Sequence, residues 1–123
     1  PLLEEAGLQA ESAVYARLII QGTWHNHRRY DAMLASAASH WDVSRMAVVD
    51  RNILRLALYE LIEQPEVPAR VVIDQAIELG REFGAADTPQ FINGVLDAVW
   101  KQDPACQTAR EAREVRQAKC EIR

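Results

Sequence analysis

Nowhere in this 123-residue sequence do apolar residues run for the ~18 positions that a helical membrane span needs, so no membrane partner is expected. A basic start leading into an apolar stretch and a small-residue cleavage site is also missing, and with it the mark of a secretory leader. The chain opens on Pro1 rather than Met, which leads to the expectation that it begins inside a longer gene product. Apolar and polar residues nowhere alternate at period two over a useful length, so there are no strands to place. The two cysteines, Cys106 and Cys120, stand fourteen residues apart. On one helix that separation is about 21 Å, far beyond disulfide reach, so free thiols in a reducing compartment, the cytoplasm, are expected. Positive charge is short as well: 14 Lys and Arg face 18 Asp and Glu, a net charge of −4. A surface that grips nucleic acid all over is basic, so any RNA contact here comes from a local patch or through a partner.

What is present is helical. The composition, 49% apolar and 26% charged, is that of one folded domain. From Gln9 to Ser39 apolar residues recur at three- and four-residue spacings with no Pro and one Gly, Gly22. This pattern predicts one long helix, bent near Gly22. His40-Trp41-Asp42-Val43-Ser44 ends it, with Asp42 or Ser44 placed to cap the next helix, Arg45 to Glu63. That second helix is apolar on two faces, the pattern of a central element. A third helix is expected over Ala69 to Phe83, with Val72, Ile73, Ala76, Ile77 and Phe83 inward and Gly84 as a left-handed stop. Asp87-Thr88-Pro89-Gln90 reads as the start of a fourth, running to about Lys101, with Asp87 and Gln90 forming a capping box. Pro104 opens a last polar helix reaching about Cys120. The fold class is all-α, an orthogonal bundle of about five helices.

Reactive chemistry finds no foothold. Glycine-rich phosphate loops, paired-cysteine motifs, His-Glu-x-x-His and nucleophile elbows are all absent. His25 and His27 lie two residues apart, which on a helix points them about 200° apart, away from any shared metal. The carboxylates Asp50, Glu60, Asp74, Glu78, Asp87 and Asp97 form no pair framed by apolar residues of the kind that raises the pKa of a general acid. No catalytic residue, metal or cofactor is assigned; the reading is a binding module.

Three stretches carry a resemblance. DRNILRLALYEL, residues 50–61, closely resembles the signature central helix of the NusB family of bacterial transcription antitermination factors. VPARVVIDQAIELGREFG, residues 67–84, is similar to that family's Val-Pro … Val-Ala-Ile-Asn-Glu-Ala-Ile-Glu-Leu-Ala-Lys segment. FGAADTPQFINGVLD, residues 83–97, is similar to its Phe-Gly … Phe-Val-Asn-Gly-Val-Leu-Asp close. Trp41 and Arg45 also sit where many members have Trp and Arg, and the likeness runs in order from about Tyr15 to Lys101.

The resemblance implies an all-helical fold that catalyses no reaction. It implies as partners the boxA element of ribosomal RNA leaders, the ribosomal protein NusE, and the RNA polymerase antitermination complex. Family members hold boxA with an arginine-rich N-terminal helix, helped by the first turn of the last family helix. Here that turn comprises Asp87, Thr88, Pro89, Gln90 and Phe91. Asp87, Gln90 and Phe91 are therefore the RNA-binding candidates, against an N-cap role for Asp87 and a core-anchor role for Phe91. Asp50 is the candidate at the NusE interface, against a solvated charge. Asn93-Gly94, inside the fourth helix, is expected to let two backbones approach closely. An alternative reading is the NusB-like domain of an RNA cytosine-5 methyltransferase, although the glycine-rich cofactor motif of such an enzyme is missing.

Departures from the family count too. Its first two helices and their arginine-rich segment have no counterpart, and residues 1–16 hold no Lys or Arg. Either the chain is a piece of a longer protein or autonomous RNA binding is lost. An apolar face left uncovered would drive homo-oligomerisation, testable by sedimentation. Asp74-Gln75 replaces Asn-Glu, and Gly80 replaces Ala. The division expected is a NusB-like domain over residues 1–103 and a charged helical extension over 104–123. In that extension Arg110, Arg113, Arg116 and Lys119 form a basic edge, read mainly as solvated.

Overall fold

The computed structural model describes residues 2–37 and 45–122, which form six helices and no strand. The sixth helix comes from a break that the sequence pattern did not reveal. α1 spans Leu2–His25 and α2 His27–Ala37, where one bent helix was expected. The chain turns at Asn26, not Gly22. Asn26 N–H donates to the carbonyls of both Gly22 and Thr23, and its side-chain amide donates to Gly22 O at 3.0 Å. This local bonding competes with the regular ladder, as Asn side chains do in turns. The expected break at His40 to Ser44, with its Asp42 or Ser44 cap and Trp41, lies outside the described residues.

α3, Val48–Glu63, is central as expected, packing against α1, α2, α5, α6 and α4, the last being Ala69–Phe83. α5 covers Thr88–Gln102 and α6 covers Pro104–Ile122. The core joins Tyr30, Met33 and Leu34 of α2 to Leu54, Leu58 and Leu61 of α3, Val72 and Ala76 of α4, and Ile92, Val95, Leu96 and Val99 of α5. Phe83 departs from its expected inward place and is 62% exposed. α1 buries little: Val14, Tyr15, Leu18, Ile20 and Trp24 all face solvent, and its packing is chiefly on α3.

α6 is no loose extension. Cys106 and Ala109 are buried, Cys106 within the common core. Arg113, expected in solvent, turns inward instead. Its guanidinium donates to the carbonyls of Glu60, Leu61 and Gln64 at the end of α3, to Val67 in the following loop, and to Ala109. The last carbonyls of a helix have no partner within it and carry the negative end of its dipole, so a cation there satisfies both needs. Arg113 and Arg110 also lie over the Trp100 ring, 5.3 and 5.4 Å from its centroid.

Candidate functional site

Asp50 in the first turn of α3 and the start of α5 meet through one residue, Thr88. The hydroxyl of Thr88 donates to Asp50 Oδ1 at 3.1 Å and accepts from Ala85 N–H at 2.9 Å. Thr88 is 1% exposed, so its two bonds leave no polar group stranded. They tie the α4–α5 loop to α3 and make neighbours of two sites 38 residues apart in sequence. Asp50 is half-buried.

Around this joint, Asp87 and Gln90 are exposed, while Phe91 is half-buried and packed on the core. The capping box does not form: Asp87 holds the N-cap position in a helical conformation and its side chain makes no capping bond. Thr88, not Asp87, bonds the loop backbone, leaving the Asp87 carboxylate facing outward. Gly84 also departs from expectation. It is extended rather than left-handed, at φ −97° and ψ −171°. Its value is room: a Cβ there would lie 2.6 Å from the Thr88 side chain. Gly94 shows the reverse. An added Cβ would meet nothing within 4 Å, so the close approach expected at Asn93-Gly94 is absent and both residues face outward on α5.

Among the carboxylates, Glu60 sits alone, without a second acid, in apolar surroundings. It lines a shallow groove with Ile53, Leu56, Ala57, Val72 and Leu79, and burial raises its pKa above the ordinary carboxylate value. His27, instead of approaching His25, stacks on Trp24 with ring centroids 3.9 Å apart. Arg55, in the middle of α3, makes a bidentate pair with Asp31 of α2 at 2.8 and 2.6 Å. That hydrogen bonding, more than the Coulomb attraction of Arg55, Arg51 and His27, holds the Asp31 carboxyl below its usual pKa against the opposing effect of burial.

The NusB family model matches residues 2–101, everything from α1 through nearly all of α5. This chain belongs to the NusB family. Among relatives, the transcription antitermination protein NusB of Symbiobacterium thermophilum is 40% identical over 105 residues, covering 85% of this chain and 69% of that protein. The protein of the same name from Geobacter sp. strain M21 is 41% identical over 98 residues, covering 78% and 68%. A solved structure of T. maritima NusB superposes with a TM-score of 0.73 at 36% identity, over 82% of this chain and 70% of that one. The NusB match begins well before Tyr15, where the motif likeness starts, and stops short of α6.

Against the NusB motif, two of this chain's departures explain each other. Gly80 stands at the motif's Ala and Ile92 at its Val. A Cβ on Gly80 would lie 2.9 Å from Ile92 Cδ1 and 2.9 Å from Thr88 Cγ2. The additional methyl of Ile92 fills space that an alanine methyl would take. Gly80→Ala alone is expected to cost about 1 kcal/mol, because overpacking of ~1–3 kcal/mol outweighs a helix-propensity gain of ~1 kcal/mol. Adding Ile92→Val should recover part of that loss, the part due to Ile92 Cδ1, since the Thr88 methyl stays in place. Urea titrations of the parent, both single variants and the double variant measure the coupling, and strictly additive effects refute it.

Proposed function

We infer that this chain is a transcription antitermination factor that binds boxA RNA of ribosomal RNA leaders together with the ribosomal protein NusE, as part of the RNA polymerase antitermination complex. The name shared by its relatives supports this reading over a methyltransferase domain. The observation that supports it is the Asp50–Thr88 hydrogen bond, which makes neighbours of the α5 start, with its RNA candidates, and the α3 turn that carries the partner candidate.

The chemistry at the start of α5 suits unpaired bases better than phosphate. Asp87 accepts hydrogen bonds from base amino groups, and Gln90 both donates and accepts. The half-buried Phe91 offers an aromatic ring for stacking. NusE docks beside Asp50, and no reaction is catalysed. A second copy of the chain covers the outer apolar face of α1 when that face has no other occupant, and sedimentation at micromolar concentration reads this as a dimer.

Fluorescence anisotropy with labelled boxA RNA, with and without NusE, tests the reading on the full-length protein. NusE should tighten binding, and Phe91→Ala should weaken it about tenfold, the worth of one stacked base. No binding in either condition defeats the proposal.

A further inference from the structure

The break at Asn26 brings His27 back against the last turn of α1, where its ring lies parallel to the Trp24 indole, 6° between planes. His27 Nδ1 donates to the Trp24 carbonyl, which holds the imidazole in place. Trp24 is nevertheless 62% exposed, and neither ring belongs to the core. Beside the pair opens a cleft of about 270 Å3, lined by Ile20, Thr23, Trp24, Asn52, Arg55 and Leu56. The Arg55 guanidinium carbon is 5.9 Å from the indole centroid.

Charge gathers in the same part of the chain. Residues 17–55 contain six arginines (Arg17, Arg28, Arg29, Arg45, Arg51 and Arg55) against three aspartates, a surplus of positive charge in a chain whose net charge is −4. Arg28 and Arg29 follow His27 directly and are exposed. Arg55, Arg51 and His27 all act on one of those acids, Asp31.

We propose that the Trp24–His27 pair is a stacking platform for an unpaired base of single-stranded RNA, with Arg28 and Arg29 holding the adjoining phosphates. The proposal rests on the RNA-binding reading above but adds a contact outside the motif residues of α5. A flat, prearranged aromatic pair fits the face of any base, and flanking arginines fit the backbone; that combination makes single-strand binding tolerant of sequence. An apolar peptide would use the cleft but would gain nothing from the arginines. α3 lies behind both places, with Arg55 lining the cleft beside Trp24 and Asp50 bonded to Thr88 at the start of α5.

The test titrates the full-length protein with a fluorescein-labelled RNA built only of A and C, which cannot pair with itself, and with its duplex form. The single strand should bind and the duplex bind far more weakly. Trp24→Ala should lower single-strand affinity about tenfold, Trp24→Phe should retain most of it, and circular dichroism should match the parent in both variants. Arg28→Gln with Arg29→Gln should flatten the dependence of affinity on salt. If Trp24→Ala binds as tightly as the parent while Phe91→Ala loses boxA, the platform is refuted and the antitermination reading stands. Equal affinity for duplex, or a Trp24→Ala effect confined to self-association, also refutes the platform. Failure of the parent to bind either boxA or the A/C strand ends both proposals.

Discussion

Replacing Arg113 with Ala lowers the stability of the chain by about 3 kcal/mol in urea titrations. The guanidinium serves five carbonyl oxygens, three of them at the end of α3. Burial lowers the Arg113 pKa, the mark of a cation drawn out of water, but an arginine remains charged under these conditions. Truncation takes the side-chain donor from all five; Glu60 O and Gln64 O keep backbone donors from Gln64 and Val67, but Leu61 O, whose i+4 residue is Pro65, loses the donor that its helix cannot supply. Arg113→Lys recovers part of the loss, since a point charge replaces the fork without spanning all of its acceptors. Arg116→Ala, on the exposed face, changes stability by no more than about 0.5 kcal/mol. Equal effects at positions 113 and 116 would show that the inward arginine contributes nothing beyond its charge.

Arg55→Met costs about 2–3 kcal/mol near neutral pH, because it takes the bidentate partner from the part-buried Asp31 carboxylate, which keeps some contact with water. The pair also makes stability depend on pH, with a definite sign. Asp31 has a lower pKa in the folded state than in the unfolded chain, first through the hydrogen bonds from Arg55. Its contribution is therefore complete above the unfolded value of about 4, and disappears as pH falls through the folded value. The parent should lose stability on acidification in that window. Arg55→Met should show a shallower acid limb, read from urea midpoints across pH, and an unchanged limb would remove Asp31 as its source.

Much of the fold could be read in the sequence because its punctuation is local. Pro68 before α4 and Gly84 after it gave that helix its observed bounds, Ala69–Phe83. The break at Asn26 escaped because almost nothing in the helical pattern is lost there. Asn26 N–H still reaches Gly22 O, and Tyr30 N–H still reaches Asn26 O. Glycines were visible as glycines, but their reasons lie across the fold: Gly84 needs room against Thr88, and Gly94 faces open space. Likewise the three-residue period of the tail marked a basic edge without showing which arginine turns inward, since most of the carbonyls Arg113 meets are 46 to 53 residues away. At the candidate site, motif likeness supplied Asp50, Asp87, Gln90 and Phe91. The hydroxyl bridge of Thr88 became visible only in three dimensions, because its residue type served equally well as an ordinary helix-start residue. Trp24 and His27 escaped for a related reason, as their stacking depends on the unforeseen turn between them.

The two cysteines of α6 give the molecule a built-in clock. Cys120 is exposed in the last turn of the helix, whereas Cys106 is fully enclosed and burial, ahead of the charge of Asp103, pushes its thiol up to about 12. A thiol-reactive dye therefore tags the tip at once. The second tag waits until α6 swings off the bundle, and its slow appearance counts those excursions.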